Sequence, residues 1–559
     1  MSQLTGRTYD LIVVGGGITG ANIAWDAALR GLRVALLEKQ DFGGATSANS
    51  LKTVHGGLRY LQDGNLRLVR KMIRERQALL RVAPHLVHPL PVMMPTFRNK
   101  LMRSKLVLGT AVKLNDLASF DRNFGMDPAQ VLPNSRILSR RETLEILPGL
   151  NDTNLSGGVL WYDAQIYNTE RLLLSILLAA AEAGAQIANY VGITGFLRQG
   201  SRVIGVQAAD KLTGAQLEVR GQMVVNAAGP WIDELLSELA AVPLRPQFPL
   251  STAMNLVTRQ ILPHHAVGLT GHYEQPLPDG SVEKRSRVLF VAPWRDYSLV
   301  GTLHAPYNGR PNDQWVTERM ICDFIAEINE AYPGAQLRRE DVYHVHKGFL
   351  PMVPQDGDPT KVSLIREGQV TDHARDNGID GLITAVGVKY TTGRYLAEKT
   401  VNLVFQKLKR PSPACQTRQR PIYGGQSHSM AVTTSASAAQ WPAELPPYQL
   451  ERLWRNYGSA HTELLPYIME EKENGQPVSE ETAVTHAEII RAVRAEMAQR
   501  LSDVVLRRTE MGSAGPPSQA TLNACARIMA VELGWGKSRM HQELDEVWNA
   551  YETQKREKP

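Results

Sequence analysis

Cysteine is scarce in this sequence: its 559 residues include three, Cys322, Cys415 and Cys525, which lie far apart. That spacing excludes a disulfide-stapled scaffold and a zinc ribbon, and no metal site is expected. Long apolar runs are also missing, since the most apolar stretch, 172–181, has about half of the roughly 20 residues that a helix needs to cross a bilayer. The sequence therefore predicts a protein of a reducing compartment without a transmembrane helix.

A strong excess of one charge is absent as well. Sixty-two Lys and Arg residues face 56 Asp and Glu residues, which gives a formal net charge of +6. So small an excess does not indicate nucleic-acid binding, although it suits an anionic membrane face or a phosphorylated substrate. The first residues show no basic and apolar leader, so export is not expected. With 43% hydrophobic and 21% charged residues, the chain is expected to form two to four globular domains.

A dinucleotide-binding pattern occupies the first forty residues. Branched apolar residues over 9–14 predict a strand, 21–30 predicts a helix, and a second strand, 33–37, ends in Glu38. The turn between the first strand and the helix has G-x-G-x-x-G spacing, with Gly15, Gly17 and Gly20. Such a turn admits a pyrophosphate at the helix N-terminus, and a carboxylate at position 38 accepts ribose hydroxyls while repelling a 2′-phosphate. An adenine dinucleotide is predicted and NADP is disfavoured, but the pattern does not separate FAD from NAD.

The polar loop that follows Glu38 indicates a longer cofactor and carries a family signature. Its run S-x-K-x-x-H-G-G-L-R-Y-L, over 50–61, resembles the FAD-dependent glycerol-3-phosphate dehydrogenases of the quinone-linked, aerobic type. Further segments are similar to that family in the same order along the chain, from about residue 8 to 405: 224–231, 290–294, 300–302 and 387–394, with weaker similarity at 506–509. The resemblance implies an FAD enzyme.

The resemblance also implies the architecture. The expected fold is an α/β FAD-binding domain of Rossmann type, a substrate-binding cap domain with an antiparallel sheet, and a C-terminal helical domain. Runs at 288–291 and 297–300 predict two strands of that sheet. The expected ranges are 1–87, 161–242 and 351–408 for the FAD-binding domain, 88–160 and 243–350 for the cap, 409–447 for a linker, and 448–559 for the helical domain.

The glycine pattern and the resemblance together predict the contacts to the cofactor. They are Gly15, Gly17, Ile18, Thr19, Gly20, Glu38, Lys39, Thr46, Ser47, Ser50, Lys52, His55, Gly57, Ala228, Gly229, Trp231, Gly387, Lys389, Tyr390 and Thr391.

His55, Arg59 and Lys389 are the candidate catalytic residues. A flavin performs the hydride chemistry itself, so the protein has to place the substrate and manage charge. His55 is the expected proton acceptor because imidazole works in either direction near neutral pH; a structural, backbone-bonded histidine is the alternative. Lys389 would stabilise the anionic reduced ring, and its alternative is an ordinary loop lysine.

The expected substrate-binding residues are Arg59, Tyr60, Arg366, Lys347 and Lys389. A phosphate dianion needs two or three Arg or Lys donors. Arg59, which follows a double glycine, is the first choice, and a surface ion pair is its alternative. Tyr60 would donate to the substrate or simply pack, and Arg366 matches a family position that holds substrate.

Two departures from the family affect the substrate. Where the family has G-V-R-P, with an arginine that grips phosphate, this chain has Gly348-Phe349-Leu350-Pro351, and an aliphatic side chain cannot bind phosphate. Where the family has K-G-S-H, the chain has 251–255, which includes Met254. Lys347, His344 or His346 would have to supply the missing charge.

The resemblance implies oxidation of sn-glycerol 3-phosphate to dihydroxyacetone phosphate, with electrons passed to a quinone. The alternative is a dehydrogenase or oxidase of the same fold that acts on another hydroxyl or amine substrate, because of Leu350. A flavoprotein module without turnover is the third option, and His55, Arg59 and Lys389 argue against it.

One basic segment bears on location. Residues 97–108 mix Arg98, Lys100, Arg103 and Lys105 with large apolar side chains, which predicts an amphipathic helix at a membrane surface. A surface helix with a solvated charged face is the alternative. A cytoplasmic enzyme bound peripherally to the inner face of the membrane is expected, and a homodimer is left open.

Overall fold

The computed structural model describes residues 4–239, 244, 247–276, 280–313, 315–353, 360–426, 441 and 446–551. Strands β1–β19 and helices α1–α14 are numbered along the chain. Two large sheets and a C-terminal group of helices make up the described fold.

The first sheet carries the dinucleotide-binding pattern. Its strands run in the order β16-β17-β10-β1-β2-β7, and β9 and β8 extend it from β10 as an antiparallel meander. The strands are β1 (Thr8–Val14), β2 (Val34–Leu37), β7 (Gln186–Ala188), β8 (Val191–Gln199), β9 (Arg202–Asp210), β10 (Gln216–Asn226), β16 (Gln369–Asp372) and β17 (Leu382–Val386). β1 is parallel to both β2 and β10 and is entirely apolar after Asp10, which is typical of a parallel strand covered on both faces.

Helices cover one face of this sheet and the meander lies on the other side. They are α1 (Ile18–Leu29), α5 (Thr169–Glu182) and α9 (Gly393–Leu408). Their apolar residues form one buried core with β1 and β2, which includes Trp25 and Leu177. The core fixes the end of β1, and with it the turn that leads into α1.

The second sheet forms the cap. Its order is β15-β11-β14-β13-β12-β4-β6-β3, with β5 paired to β6, and its pairs are antiparallel except β4 with β12. The strands are β3 (Thr53–Val54), β4 (Val87–Phe97), β5 (Arg136–Leu138), β6 (Leu155–Ile166), β11 (Leu250–Arg259), β12 (Ala266–Pro276), β13 (Val282–Trp294), β14 (Tyr297–Tyr307) and β15 (Val342–Pro351). Helix α7 (Glu318–Ala331) buries its apolar stripe against one face of this sheet.

Shorter elements connect the sheets, and a helical domain follows. The connecting helices are α2 (Leu66–Val82), α3 (Lys105–Ala118), α4 (Arg140–Ile146), α6 (Ile232–Ser237) and α8 (His373–Asn377). The C-terminal domain contains α10 (Pro447–Tyr457), α11 (Leu465–Glu470), α12 (His486–Arg494), α13 (Gln519–Leu533), α14 (Lys537–Tyr551) and the hairpin β18 (Pro477–Ser479) with β19 (Thr482–Thr485). The chain also makes a π-helical turn over Val504–Arg508.

Some expected boundaries differ from the structure, and those at 87/88 and 350/351 each cut one residue from β4 or β15. The boundary between 160 and 161 falls inside β6, so residues 161–166 lie in the cap sheet. The helix predicted over 97–108 is wrong in its first half, because Phe97 ends β4 and α3 begins at Lys105. Ser104 is the N-cap of α3 and accepts a hydrogen bond from the amide of Val107, which fixes that start. Residues 427–440 and 442–445 of the predicted linker lie outside the described residues.

Among the helices that the structure describes, none is both long and apolar enough to cross a bilayer.

A buried histidine at the junction of the domains makes stability depend on pH. His85 is fully buried, packs edge-on against Trp454, and neither ring nitrogen has a hydrogen-bond partner among the described residues. Burial lowers its pKa to about 3, whereas in the unfolded chain it is about 6.5. The neutral ring therefore contributes stability above pH 6.5, and this contribution is lost as the pH falls towards 3.

We expect the wild type to lose about 2 kcal/mol more unfolding free energy than His85→Gln between pH 6.5 and 5.0, since each pH unit in this window is worth about 1.4 kcal/mol. Urea unfolding of both proteins at the two pH values measures the difference. Equal losses in both would show that His85 does not titrate on unfolding.

Candidate active site

A cavity of about 410 Å³ opens between the end of β1 in the first sheet and strands β11, β14 and β15 of the cap. Its wall is continuous from the glycine turn to the turn at 387–390. The residues expected to contact a cofactor that line it are Gly15, Gly17, Ile18, Thr19, Glu38, Lys39, Thr46, Ser47, Ser50, Ala228, Gly229, Trp231, Gly387, Lys389 and Tyr390. The structure thus gathers residues from four separate segments around one space.

The glycine turn leaves no room for side chains. Gly15 has φ +106°, and a Cβ built there would lie 2.6 Å from the backbone oxygen of Ala227. A Cβ on Gly20 would overlap the backbone oxygen of Gly15. These positions require glycine, because β1, its turn and α1 meet backbone to backbone.

Glu38 follows β2 and faces the cavity. Its carboxylate accepts hydrogen bonds from the amides of Gly16, at 2.6 Å, and Gln40, at 2.9 Å. Burial raises the pKa of this carboxyl, and the two amides oppose that effect. Beside it, the ammonium of Lys39 stands 3.6 Å from the ring centroid of Trp231, across the same cavity wall.

The loop after Glu38 is bonded to both domains. The hydroxyl of Ser47 accepts from the amide of Ile18 at 3.0 Å, at the start of α1. The hydroxyl of Thr46 donates to the backbone oxygen of Phe349 at 3.0 Å, and the Phe349 amide lies 3.1 Å from the same hydroxyl. This loop therefore joins the glycine turn to cap strand β15.

Lys389 and its neighbours close the other end of the cavity. The Lys389 ammonium donates to the backbone oxygen of Arg366 and lies 4.7 Å from the ring centroid of Tyr60. Tyr390 anchors the turn, since its hydroxyl donates to the backbone oxygen of Thr169 at 2.9 Å. Four of the residues singled out in the sequence, from three segments, thus lie together here.

His55 belongs to a network of charged side chains, with Asp163 and Arg76, that the sequence did not reveal. Its Nδ1 lies 3.4 Å from a carboxylate oxygen of Asp163 on β6. Asp163 also accepts from the amide of Gly56, at 2.7 Å, and from the guanidinium of the buried Arg76, at 2.6 Å. Burial would raise the pKa of Asp163, but His55 and Arg76 outweigh it and lower the pKa to about 2. The ionised carboxylate fixes the orientation of the imidazole, whose side chain stays 42% exposed.

Arg59 and Arg366 lie at the exposed rim. Arg59 sits in the short turn Leu58–Leu61, and its charge helps lower the pKa of the cavity residue His304. Arg366 forms an exposed ion pair with Asp63 at 2.8 Å. Neither arginine is buried in the wall of the cavity.

Some of the predicted cofactor contacts do not line the cavity in the part of the chain that the structure describes: Gly20, Lys52, His55, Gly57 and Thr391. Lys52 is the clearest departure. It is fully buried, and its ammonium donates to Thr169 at 2.6 Å and to Glu170 at 3.0 Å. The ammonium of Lys52 is thus paired inside the protein, and a contact between Lys52 and the cofactor stays a prediction.

Lys347 and Met254 also lie elsewhere. They are opposite each other in the pairing of β15 with β11, and Met254 and Val345 belong to the core beneath α7. Lys347 therefore faces that side, where it lines a small separate pocket with Tyr551. This orientation argues against compensation by Lys347 for the missing arginine, whereas His344, on the opposite face of β15 and six positions from Leu350, packs against Tyr551.

The cap side of the cavity contains polar residues that the sequence analysis missed. Asn255, beside Met254, faces the cavity, and the hydroxyl of Thr302 donates to its side-chain oxygen at 2.6 Å. His304 follows on β14, and burial lowers its pKa to about 4. Leu350 lies in the same wall. The alternation of side chains between the two faces of β11 and β14 is the sequence signal that could have indicated these positions.

The comparisons with known proteins agree with this geometry. Residues 10–400 match the model of the family described as FAD dependent oxidoreductase, and residues 415–540 match the C-terminal domain of alpha-glycerophosphate oxidase. A glycerol-3-phosphate dehydrogenase of Synechocystis sp. is 32% identical over 516 residues, which is 91% of this chain and 89% of that protein. The chain belongs to the FAD-dependent glycerol-3-phosphate dehydrogenase family.

Two further relatives span nearly the whole chain. A glycerol-3-phosphate dehydrogenase of Mycobacterium leprae is 30% identical over 543 residues, covering 96% of this chain and 87% of that one. The crystal structure of glycerol-3-phosphate dehydrogenase from Bacillus halodurans complexed with FAD superposes with a TM-score of 0.75 at 25% identity, covering 98% and 95% of the two chains. The predicted family, fold class, enzyme class and cofactor are confirmed, and FAD is the cofactor of this family.

Proposed function

We propose that this enzyme oxidises sn-glycerol 3-phosphate to dihydroxyacetone phosphate and passes the electrons to a quinone. The observation that carries the proposal is the cavity itself, whose wall runs from the glycine turn to Lys389 and is completed by cap strands. The family, whose relatives include glycerol-3-phosphate dehydrogenases, supports the same substrate.

The cavity residues fit FAD. The glycine turn presents backbone without side chains to the cavity at Gly15 and Gly17, and the Glu38 carboxylate keeps free lone pairs for ribose hydroxyls. Gly15–Thr19 would hold the pyrophosphate, Glu38 and Lys39 the adenosine end, and the 387–390 turn the ring. Bound FAD supplies the hydride acceptor.

His55, which lies outside the cavity lining with its ring near Phe290, is proposed to take the proton from a substrate hydroxyl bound at the rim of the cavity. The Asp163 carboxylate, itself held by Arg76, orients the imidazole and stabilises it once it is protonated. Arg59 and Lys389 would provide the positive rim that attracts the substrate's phosphate, and Arg366 would have to exchange its ion pair with Asp63 for the phosphate. Tyr60 keeps the Lys389 ammonium in place through its ring face.

A second substrate class follows from one observation: Leu350 lies in the cavity wall where the family has a phosphate-gripping arginine. Asn255 and Thr302, elsewhere in the cap side of the cavity, are neutral, and burial lowers the pKa of His304 and keeps it neutral near pH 7. A neutral wall favours a hydroxyl or amine substrate without phosphate. Product analysis decides between the phosphorylated and the unphosphorylated substrate. If glycerol 3-phosphate is the substrate, its anaerobic turnover with a soluble quinone analogue should give one dihydroxyacetone phosphate per quinone reduced. Peroxide formation in air without quinone reduction would instead identify an oxidase.

The variants Lys347→Ala and Lys389→Ala test which of these two lysines binds the substrate. Because Lys347 faces α7, we expect its KM for glycerol 3-phosphate to stay within about twofold of the wild type. Lys389→Ala should raise KM about tenfold or more, since it removes one charge-assisted contact. Steady-state kinetics on preparations of equal FAD content give both values, and a large effect of Lys347→Ala would contradict the assignment.

An anionic membrane surface is the proposed partner of a large exposed apolar face. This apolar face comprises Leu101, Met102, Leu106, Leu114, Leu117, Phe120 and Phe124, which are 51–83% exposed. Leu106, Leu114 and Leu117 recur at helical spacing along α3, and Arg98 and Lys100 are exposed beside the face. Apolar side chains flanked by cations suit the boundary between acyl chains and anionic headgroups, and bring the site to a quinone pool at the inner face of the cytoplasmic membrane.

We expect the wild type to co-sediment with vesicles that contain anionic lipid, and Phe124→Ser to reduce the bound fraction several-fold. Val531→Ser is the matched control, because Val531 is equally exposed, at 83%, but lies on α13. Neutralising Arg98, Lys100, Arg103 and Lys105 together should weaken binding at low salt. Wild-type protein that stays in the supernatant would refute the membrane proposal.

A further inference from the structure

The loop that follows Glu38 is tied to the C-terminal domain by one buried carboxylate. Asp41 is fully buried, and its residue lines the cavity. Its oxygens accept from Arg508 at 2.7 and 2.8 Å, from Arg507 at 2.6 Å and from the side-chain amide of Asn189 at 3.0 Å. Two guanidiniums outweigh the burial and hold the pKa of Asp41 well below its usual range. The carboxylate is thus ionised and fully hydrogen-bonded.

Both arginines come from the π-helical turn Val504–Arg508, more than 460 residues further along the chain. That turn is itself firmly held. Arg507 donates to Asp503 at 2.7 Å, and Asp503 accepts from the hydroxyl of Tyr190 at 2.7 Å. Arg508 also donates to the backbone oxygen of Glu496 at 3.0 Å. Two aspartates and two arginines balance in charge, so removing one partner would leave a buried charge unpaired.

A few residues after Asp41, the same loop is hydrogen-bonded to the glycine turn. The amide of Gly43 donates to the backbone oxygen of Gly16 at 3.1 Å, and Ser47 accepts from the Ile18 amide. Gly43, Gly44 and Ala45 line the cavity between these two anchor points. A displacement of Asp41 would therefore move the wall against which the dinucleotide lies.

We propose that the C-terminal domain is part of the FAD site: Arg507 and Arg508 hold Asp41, and through it the loop 41–47, in the conformation that retains the cofactor. They are positioning residues, since their guanidiniums contact Asp41 and not the cavity. The C-terminal domain and FAD then stabilise each other, because coupling between two binding events is reciprocal.

The dissociation constant of FAD from the reconstituted apoprotein tests this proposal. Arg508→Gln should weaken FAD binding about ten- to a hundredfold, and Arg508→Lys, which keeps the charge but loses the fork, should be intermediate. Arg452→Gln is the matched control, because Arg452 forms a buried ion pair with Glu488 inside the C-terminal domain and does not touch the loop. An unchanged dissociation constant in Arg508→Gln, or an equal loss in Arg452→Gln, would overturn the proposal.

Hydrogen exchange on the wild type gives an independent test that needs no variant. The backbone amides of 504–509 should exchange several-fold more slowly with FAD bound than in the apoprotein, since FAD would stabilise the loop that this turn holds. The amides of α3 serve as the internal control, because its buried residues belong to a core of the cap that does not include this turn. Equal exchange of 504–509 in both states would contradict the coupling.

Discussion

Gly20→Ala is expected to give a protein that does not retain FAD. The added Cβ would overlap the backbone oxygen of Gly15, and a backbone atom in the middle of a strand–turn–helix unit cannot move aside as a flexible side chain can. Either α1 shifts away from β1 or the turn opens, and both changes remove the cradle for the pyrophosphate. We expect less than about a tenth of the wild-type flavin after gel filtration with excess FAD, measured by absorbance per polypeptide.

Gly536→Ala is the control for that experiment, because a Cβ at Gly536 would meet nothing within 4 Å. It should retain a full complement of flavin. Circular dichroism of the Gly20→Ala apoprotein separates loss of the cofactor from loss of the fold. A folded Gly20→Ala protein with stoichiometric flavin would show that the cofactor does not depend on this turn.

His55→Gln is expected to lower kcat by about a hundredfold or more while FAD content stays unchanged, because general-base catalysis contributes about 10²–10⁴. Asp163→Asn should lower kcat in the same direction by a smaller factor, since the imidazole remains but loses the carboxylate that orients and stabilises it.

The matched control is His272→Ala, an exposed histidine on the cap strand β12. It should leave kcat and the FAD content unchanged. If His55→Gln kept wild-type kcat, another group would be the base, and His55 would be a structural residue of the loop.

The dinucleotide half of the cavity could be predicted from the sequence because its signals are local. A strand, three glycines, a helix and Glu38 lie within thirty residues, and each has a steric or electrostatic reason for its position. The start of α3 was also local: Ser104 is a good N-cap residue, and it marks the boundary that the predicted helix over 97–108 missed. Local sequence signals thus explain the correct prediction of the glycine turn, and they also contain the N-cap residue that corrects the start of α3.

The charged groups behind the site could not be predicted, because they join distant segments. Asp163 lies 108 positions from His55, and Asp41 lies 467 positions from Arg508. Neither spacing follows any helix or strand period. Lys347 is different: it is three residues from Leu350 on one strand, and an odd separation places two side chains on opposite faces. Strand alternation alone therefore argued against Lys347 as a substitute for the missing arginine.

Anaerobic reduction of the bound flavin tests the central claim most directly, because it needs only the substrate and the purified holoenzyme. A panel of glycerol 3-phosphate, glycerol and unphosphorylated hydroxy acids is added without oxygen or quinone, and flavin absorbance is followed. Glycerol 3-phosphate should bleach the flavin completely and yield one equivalent of dihydroxyacetone phosphate, whereas the unphosphorylated compounds should not. Flavin that stays oxidised with glycerol 3-phosphate but bleaches with an uncharged alcohol would contradict the account and assign the neutral wall around Leu350 to a different substrate.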